Sequence, residues 1–273
     1  MKDLLPRAIS GFVFGVIIIV GVIFHPYLFA AVILIVGTIS LLEFQRMTSS
    51  ICYYPLSLKI LYIVSFLAIF LVSFLVTNKV ISSTCLTIIP AILFLPFILE
   101  LYNKKPDPLI RPALGVLSTA YIIFPLCLAN LIAFPDLSEF NGYNLLAIIL
   151  LTWVTDIFAY LIGSNFGKNP LFKRVSPKKS IEGFIGGAIF CLASSFLIYK
   201  ILPVDFTQVD WVFLALIVIV FGTIGDLVES MMKRKLEIKD SGSIMPGHGG
   251  LLDRFDALFF ILPFAAIYIL IFT

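Results

Sequence analysis

The sequence is poor in charged residues. Asp, Glu, Lys and Arg make up 13% of its 273 residues, whereas typical soluble domains carry about 25%. Hydrophobic residues make up 60%, and a soluble globule of this size could not bury so much apolar surface. The composition therefore excludes a soluble enzyme, and it excludes intrinsic disorder, which requires low hydrophobicity and high charge.

Histidine is scarce and cysteine is scattered. The two His residues, His25 and His248, are too few for a His-rich zinc site. The four Cys residues show no CxxC spacing, so the sequence indicates neither a thiolate metal site nor a disulfide framework. We interpret them as small buried hydrophobes. They are Cys52, Cys85, Cys127 and Cys191.

Long apolar runs follow one another along the chain. Each is near the roughly 20 residues that cross a bilayer as a helix, and none shows the alternation of a β-barrel. We predict an all-α, polytopic integral membrane protein with about nine transmembrane helices and a polar cavity open to the cytoplasmic leaflet. The first span is expected to stay uncleaved, because Phe24-His25-Pro26 is a poor signal-peptidase site. The expected spans are about 8–24, 27–45, 58–78, 80–100, 112–134, 144–163, 181–200, 211–230 and 255–272.

Basic residues predict the orientation. With nine spans, all of the 19 Lys and Arg residues except Lys79 and Lys200 fall on one side, which the positive-inside rule makes cytoplasmic. The opposite side carries acids instead. The basic residues of the cytoplasmic side are Lys2, Arg7, Arg46, Lys59, Lys104, Lys105, Arg111, Lys168, Lys173, Arg174, Lys178, Lys179, Lys233, Arg234, Lys235, Lys239 and Arg254.

Polar residues within spans concentrate in the second half of the chain. We therefore divide it into an N-terminal scaffold of about five helices, residues 1–140, and a catalytic membrane region of about four helices with two basic cytoplasmic loops, residues 141–273. Charges inside spans cost about 2.5–3.5 kcal/mol near the bilayer centre, which favours a functional reason for them. Asp156, Asp226, Glu229, Asp253 and Asp256 all lie within reach of the cytoplasmic leaflet.

Helical spacing places these acids on common faces. Asp156 and Tyr160 are one turn apart, and Asp226, Glu229, Ser230 and Lys233 share a face. Carboxylates beside many cations suggest a Mg²⁺ site that handles phosphates, because Mg²⁺ takes a few carboxylate oxygens and completes its shell with substrate phosphates. A lone Asp156 paired with a nearby Lys for structural reasons is the simpler alternative.

The segment 164–180 combines five basic residues with several hydroxyls. Ser176 or Ser180 is a candidate cap for the helix that begins near Glu182, whose N-terminus would favour an anion. The segment therefore makes a plausible phosphate cradle, although ordinary positive-inside charge also explains its composition. A P-loop is rejected, because Gly163…Gly167-Lys168 is one residue short and Asn169 replaces the Ser or Thr.

The stretch 225–256 carries the strongest signal. Gly247, Gly249 and Gly250 let the backbone approach a ligand closely, and their amides could bind phosphate oxygens. His248 and Asp253 also fit an HxxxxD pattern, which resembles that of glycerolipid acyltransferases. That short pattern arises easily by chance and leaves the other acids and cations unexplained.

The spacing Ser230-x-x-Lys233-Arg234-x-x-x-x-Lys239-Asp240-x-Gly242, continued by Pro246-Gly247-His248-Gly249-Gly250-x-x-Asp253-Arg254-x-Asp256, resembles the signature of phosphatidate cytidylyltransferases, the CDP-diacylglycerol synthases. Pieces around Asp156, the segment 176–183 and the segment 225–230 look like the same family. Ser180 stands where Thr is usual and Met245 where Leu, Ile or Phe is usual, and neither change alters the chemistry.

The resemblance implies a Mg²⁺-dependent reaction in which CTP and phosphatidate give CDP-diacylglycerol and pyrophosphate for phospholipid synthesis. We expect CTP, phosphatidate and the bilayer of the inner (cytoplasmic) membrane as partners and no nucleic acid. A homodimer and a second, monovalent cation are left open.

The expected site residues fall into three groups. The expected metal ligands are Asp226 and Asp253, then Asp256, with Asp156 completing the shell or steering a cation. Expected phosphate-holding residues are Lys178, Lys179, Lys233, Arg234 and Lys239, with His248 shaping the glycine loop or contacting a phosphate rather than acting as a base. Expected substrate-binding residues are Tyr160, Ser176, Ser180, Ser230, Gly247, Gly249, Gly250 and Arg254.

Two other classes of function stay open at this point. One is a membrane acyltransferase that uses His248 and Asp253, and the other is a transporter of a phosphorylated solute. Paired discontinuous helices in two matching halves would favour transport, and the sequence shows no matching halves.

Overall fold

The fold is a bundle of apolar helices. The computed structural model describes residues 4–102, 108–135, 139–244 and 249–273, with the backbone alone for residues 4–9. The helices are α1 (Leu4–Ile23), α2 (Pro26–Met47), α3 (Leu56–Thr77), α4 (Ile88–Glu100), α5 (Ile110–Ser118), α6 (Phe124–Ala133), α7 (Gly142–Phe166), α8 (Ile181–Ile201), α9 (Gln208–Ile217), α10 (Thr223–Lys235) and α11 (Leu252–Phe272). One antiparallel pair of strands, β1 (Pro170–Phe172) and β2 (Ser176–Ser180), lies between α7 and α8.

Eight helical segments of the described chain are long and apolar enough to cross a membrane, and α1 adds a further apolar helix. The predicted polytopic all-α membrane fold is confirmed. Two segments are longer than single α-helices: Ile110–Ala133 joins α5 to α6, and Gln208–Lys235 joins α9 to α10. Each is continuous because a π-helical turn links its two parts, Thr119–Ile123 in the first and Val218–Gly222 in the second.

The last helix lies at the centre of the bundle. α11 packs against α2, α6, α7, α9 and α10, and both π-helical turns contact it. Its approach to α10 is close, because a Cβ atom at Gly225 would come within 2.7 Å of the Asp256 carbonyl oxygen. The first turn of α11, where Asp253 and Asp256 lie, is therefore held by several neighbouring elements.

The short hairpin extends from the most extensive helix pair, α7 with α8. Ser180 ends β2 and caps α8, since its hydroxyl accepts a hydrogen bond from the Gly183 amide at 3.1 Å. The Glu182 carboxylate accepts hydrogen bonds from the Lys168 and Asn169 amides and so ties the start of the hairpin to α8. The hairpin also contacts α10, which brings its lysines towards the acids of the bundle.

Candidate active site

One face of α10 carries alternating charges. Glu229 and Lys233 are one turn apart, and the Lys233 Nζ donates to the Glu229 Oε2 at 2.6 Å. Asp226 lies seven residues before Lys233 on the same face, two turns or roughly 10 Å along the axis. The Glu229 side chain is completely buried, which requires a partner for its charge, and Lys233 supplies it.

Asp253 joins α11 to this face. Its Oδ1 accepts a hydrogen bond from the Lys233 Nζ at 2.7 Å. Its Oδ2 accepts the Ser241 amide at 3.0 Å and the Gly250 amide at 2.9 Å. Gly249 between them has a φ of +84°, a conformation that glycine adopts without strain. Asp253 thus holds both the cation of α10 and the two ends of the glycine-rich loop.

Lys179 brings the hairpin into the same network. Its ammonium forms an ion pair with Asp226, and it interacts electrostatically with Asp156 and Asp256. Desolvation among the packed elements lowers the pKa of Lys179 from its ordinary value, although the two carboxylates act to raise it. Asp156 also faces Arg254 electrostatically. The predicted acids of three helices therefore converge around lysines from two elements.

The remaining predicted residues surround this network at varied exposure. Ser176, Ser180 and Ser230 are half-buried, and Gly250 is buried. Five side chains are exposed; they are Tyr160, Lys178, Arg234, Lys239 and Arg254. His248 and Gly247 lie outside the described residues, so their predicted roles stay predictions.

A large cavity lies elsewhere among the described residues and has the wrong chemistry for phosphates. It measures about 870 Å³ and opens at the other ends of α6 and α11. Among its described lining residues are the acids Glu139, Asp205 and Asp210, and no Lys or Arg. A polyanion would be repelled there, so this cavity does not suit a phosphate-bearing substrate.

Comparison with known proteins identifies the family. A family model described as the cytidylyltransferase family matches residues 5–272. The chain belongs to the cytidylyltransferase family. A phosphatidate cytidylyltransferase of Bacillus subtilis (strain 168) is 30% identical over 265 residues, 97% of either chain. A phosphatidate cytidylyltransferase of Aquifex aeolicus (strain VF5) is 37% identical over 187 residues, 62% of this chain and 69% of the relative. One from Staphylococcus aureus (strain COL) is 49% identical over 130 residues, 46% of this chain and 48% of the relative.

The resemblance implies Mg²⁺ in this cytidylyltransferase, and the chemistry of the acids fits it. Within the described residues, no three His, Cys, Asp or Glu side chains form a ready-made metal cluster. Mg²⁺ often takes only one or two carboxylates and completes its shell with water and substrate phosphates. Asp156, Asp226 and Asp256 offer such oxygens around Lys179. Asp226 and Asp256 each have one oxygen engaged, by Lys179 and by the Ala257 amide, whereas both oxygens of Asp253 accept hydrogen bonds.

Two residues beside the candidate site were not predicted from the sequence. Glu43 of α2 is 1% exposed and contacts the loop that Asp253 holds. Tyr121, in the first π-helical turn, is buried and faces Glu229 and Asp256 electrostatically. Glu43 is a lone acid within an apolar span, so the cost of an intramembrane charge was a usable signal. Tyr121 gave no signal, because an aromatic in an apolar run is ordinary.

Proposed function

We propose that this chain transfers the cytidylyl group of CTP to phosphatidate, forming CDP-diacylglycerol and pyrophosphate. One observation carries the proposal: Lys179 and Lys233, each paired with acids, meet at one end of a bundle of apolar helices. A site of this kind can receive a polyanion from water and a lipid phosphate from the bilayer. The family match and the names of the relatives support this chemistry.

The reaction requires two anions to approach each other. An oxygen of the phosphatidate phosphate attacks the α-phosphorus of CTP, a new P–O bond forms, and the bond to the β-phosphate breaks to release pyrophosphate. Phosphoryl-type transfer depends mainly on positioning and on stabilising negative charge. Lys179 and Lys233 supply half-buried positive charge, and Lys178, Arg234 and Lys239 supply exposed charge that raises the local substrate concentration.

The acids hold these cations in place and accept the metal. We propose that Asp226 binds Mg²⁺ with Asp156 and Asp256, and that Asp253 contributes through its contact with Lys233. Bound Mg²⁺ would neutralise the phosphates of CTP and polarise the phosphorus that is attacked. Lys179 pairs with Asp226, so its ammonium lies beside the carboxylate that would hold the metal and could also bind a substrate phosphate there.

We also propose that the site faces the cytoplasm from the inner membrane. CTP is a cytoplasmic nucleotide, and the basic loops lie where the positive-inside rule puts the cytoplasmic side. Phosphatidate then enters laterally from the inner leaflet, with its phosphate at the depth of the first turn of α11.

The deciding experiment incubates the purified protein in nanodiscs with labelled CTP, phosphatidate and Mg²⁺. We expect a labelled lipid and pyrophosphate in equal amounts, and no product after EDTA treatment until Mg²⁺ is restored. Absence of a CTP-derived lipid would refute the proposal. Acyl transfer from an acyl donor without CTP would favour the acyltransferase alternative, and uptake of a phosphorylated solute would favour transport.

A further inference from the structure

We infer that Glu43, a residue of the N-terminal half, is a positioning residue of this active site. It holds both ends of the glycine-rich loop, Ser241 and Gly250–Leu252, in the place that Asp253 and Lys233 require. The inference rests on the proposed function for its effect on turnover, while the contacts themselves stand independently of it.

The contacts of Glu43 join residues that are far apart in the sequence. The Glu43 Oε2 accepts the Leu252 amide at 2.8 Å and the Ser241 hydroxyl at 3.4 Å. Ser241 and Leu252 are 198 and 209 residues away in the chain. The carboxylate is 1% exposed, and a buried charge is stable only when it is well hydrogen-bonded. Holding the loop is what provides its hydrogen bonds.

Glu43 replaces a missing helix cap. The first amides of a helix have no partner within the helix, and Leu251, the cap position of α11, makes no side-chain capping hydrogen bond. Glu43 takes this role from a different helix by accepting the Leu252 amide. A carboxylate at a helix N-terminus is also favoured by the helix dipole. The start of α11, one residue before Asp253, is thereby fixed to α2.

Two carboxylates hold the same loop ends. Ser241 donates its amide to Asp253 and its hydroxyl to Glu43. On the other end, Gly250 donates to Asp253 and Leu252 donates to Glu43. Loss of Glu43 would leave the position of Asp253 dependent on its own contacts, and a misplacement of about 1 Å at a catalytic centre can cost about 100-fold in rate.

Gly242 shows that the loop is fitted to this carboxylate. A Cβ atom at Gly242 would overlap the Glu43 carboxyl group, with the nearest atom Oε1. Within the described residues, Oε1 is buried and has no hydrogen-bond partner. The lack of a side chain at Gly242 is therefore the reason that Glu43 can reach the loop, and the two positions should be energetically coupled.

The test compares Glu43→Ala and Glu43→Gln with the wild type in nanodiscs. Hydrogen exchange is measured on peptides that contain Ser241 and Leu252, and kcat and the KM for CTP are measured per folded molecule. We expect Glu43→Ala to speed exchange at both loop ends and to lower kcat by about 10- to 100-fold. Glu43→Gln keeps an acceptor oxygen and should recover most of both properties.

Ser40→Ala is the matched control, because Ser40 is fully buried on the same helix, almost one turn away, with no hydrogen-bond partner within the described residues. It should leave exchange and turnover unchanged. Unchanged hydrogen exchange in Glu43→Ala would overturn the inference. A kcat of Glu43→Gln as low as that of Glu43→Ala would also overturn it, because it would indicate a role for the charge. A wild type that makes no CDP-lipid would refute the function and still leave the exchange comparison decisive for the contacts.

Gly242→Ala provides a second route if Glu43→Ala does not fold. Its Cβ should displace Glu43 and reproduce the faster exchange and lower kcat. In the double variant Glu43→Ala/Gly242→Ala, the Gly242→Ala change should add little to the loss of kcat, since the carboxylate that it displaces is already absent. Residues in contact show such non-additive effects. Fully additive losses would contradict the coupling.

Discussion

Two buried charge systems in this protein differ in how their charges are shared. In the N-terminal half, Arg111 and Glu100 form an ion pair at 3.5 Å with side chains 9% and 8% exposed. In the C-terminal half, Lys233 is shared by Glu229 and Asp253, and Lys179 is paired with Asp226 at 36% exposure. The first pair is closed to solvent, whereas the second network reaches a surface where a ligand can enter.

We therefore expect the first system to be structural and the second to take part in the reaction. The Arg111 carbonyl also accepts a hydrogen bond from Tyr62, which ties the helices of the first system together. The second system brings together more acids than lysines, a composition that suits the proposed Mg²⁺. Breaking the first system should therefore affect stability, and breaking the second should affect turnover.

The largest effect is expected for Asp253→Asn. The amide keeps the shape of the side chain but removes the charge that holds Lys233, so turnover should fall by about 100- to 1,000-fold, the range for loss of one preorganised electrostatic contact. The measurement is CDP-lipid formation with matched amounts of monodisperse protein. Asp210→Asn, at the other end of the bundle, is the control and should retain turnover. Wild-type activity in Asp253→Asn would show that Asp253 does not take part in the reaction.

Lys179→Met should lower kcat/KM for CTP by about 100-fold, because it removes a half-buried positive charge that phosphates require. Initial rates over a range of CTP concentrations provide the measurement. Lys178→Met is the matched control, since the neighbouring side chain is exposed and should cause a smaller loss. Equal losses in both variants would mean that net charge, rather than the Asp226 contact, determines the effect.

Glu100→Gln should change stability and leave turnover per folded molecule unchanged. Breaking one partner of a buried ion pair typically costs about 3–5 kcal/mol, so the melting temperature in detergent should fall. Thermal unfolding and activity are measured on the same preparation. A selective loss of kcat with normal melting would contradict the separation between the two charge systems.

The smallest effect is expected for Ser180→Ala. It removes the cap of α8, a change that typically costs about 1 kcal/mol, and it loosens the end of the strand that carries Lys179. The melting temperature should fall slightly and the KM for CTP should rise modestly. Ser180→Thr retains the hydroxyl and should behave as the wild type, and a loss in that variant would argue against the capping role.

Most of the fold could be predicted from the sequence because length and hydropathy alone define a membrane helix. The predicted spans agree with the observed helices to within a few residues at most ends. The π-helical turns and the hairpin could not be predicted, since packing against α11 and α10 determines them. The segment Ser176–Ser180 lacks the β-branched residues that indicate a strand.

The site could be predicted in its composition but not in its pairing. The cost of a charge in a membrane indicated Asp156, Asp226 and Asp253. Helical spacing placed Glu229 and Lys233 on one face, yet only the tertiary structure shows that Lys233 is shared with Asp253. The division at residue 140 stays a prediction, and Glu43 of the first half contacts the loop that Asp253 holds.

The π-helical turn Val218–Gly222 has a consequence for how this enzyme can be altered. An α-helix advances by roughly 100° for each residue, so the wider turn rotates everything after it relative to everything before it. Deleting a single residue there would let an ordinary α-helix form. The charged side of α10 would then be rotated away from its present partners whenever the lipid-facing side of α9 kept its place. The spacing of this chain is therefore less tolerant of deletion than its apolar composition suggests.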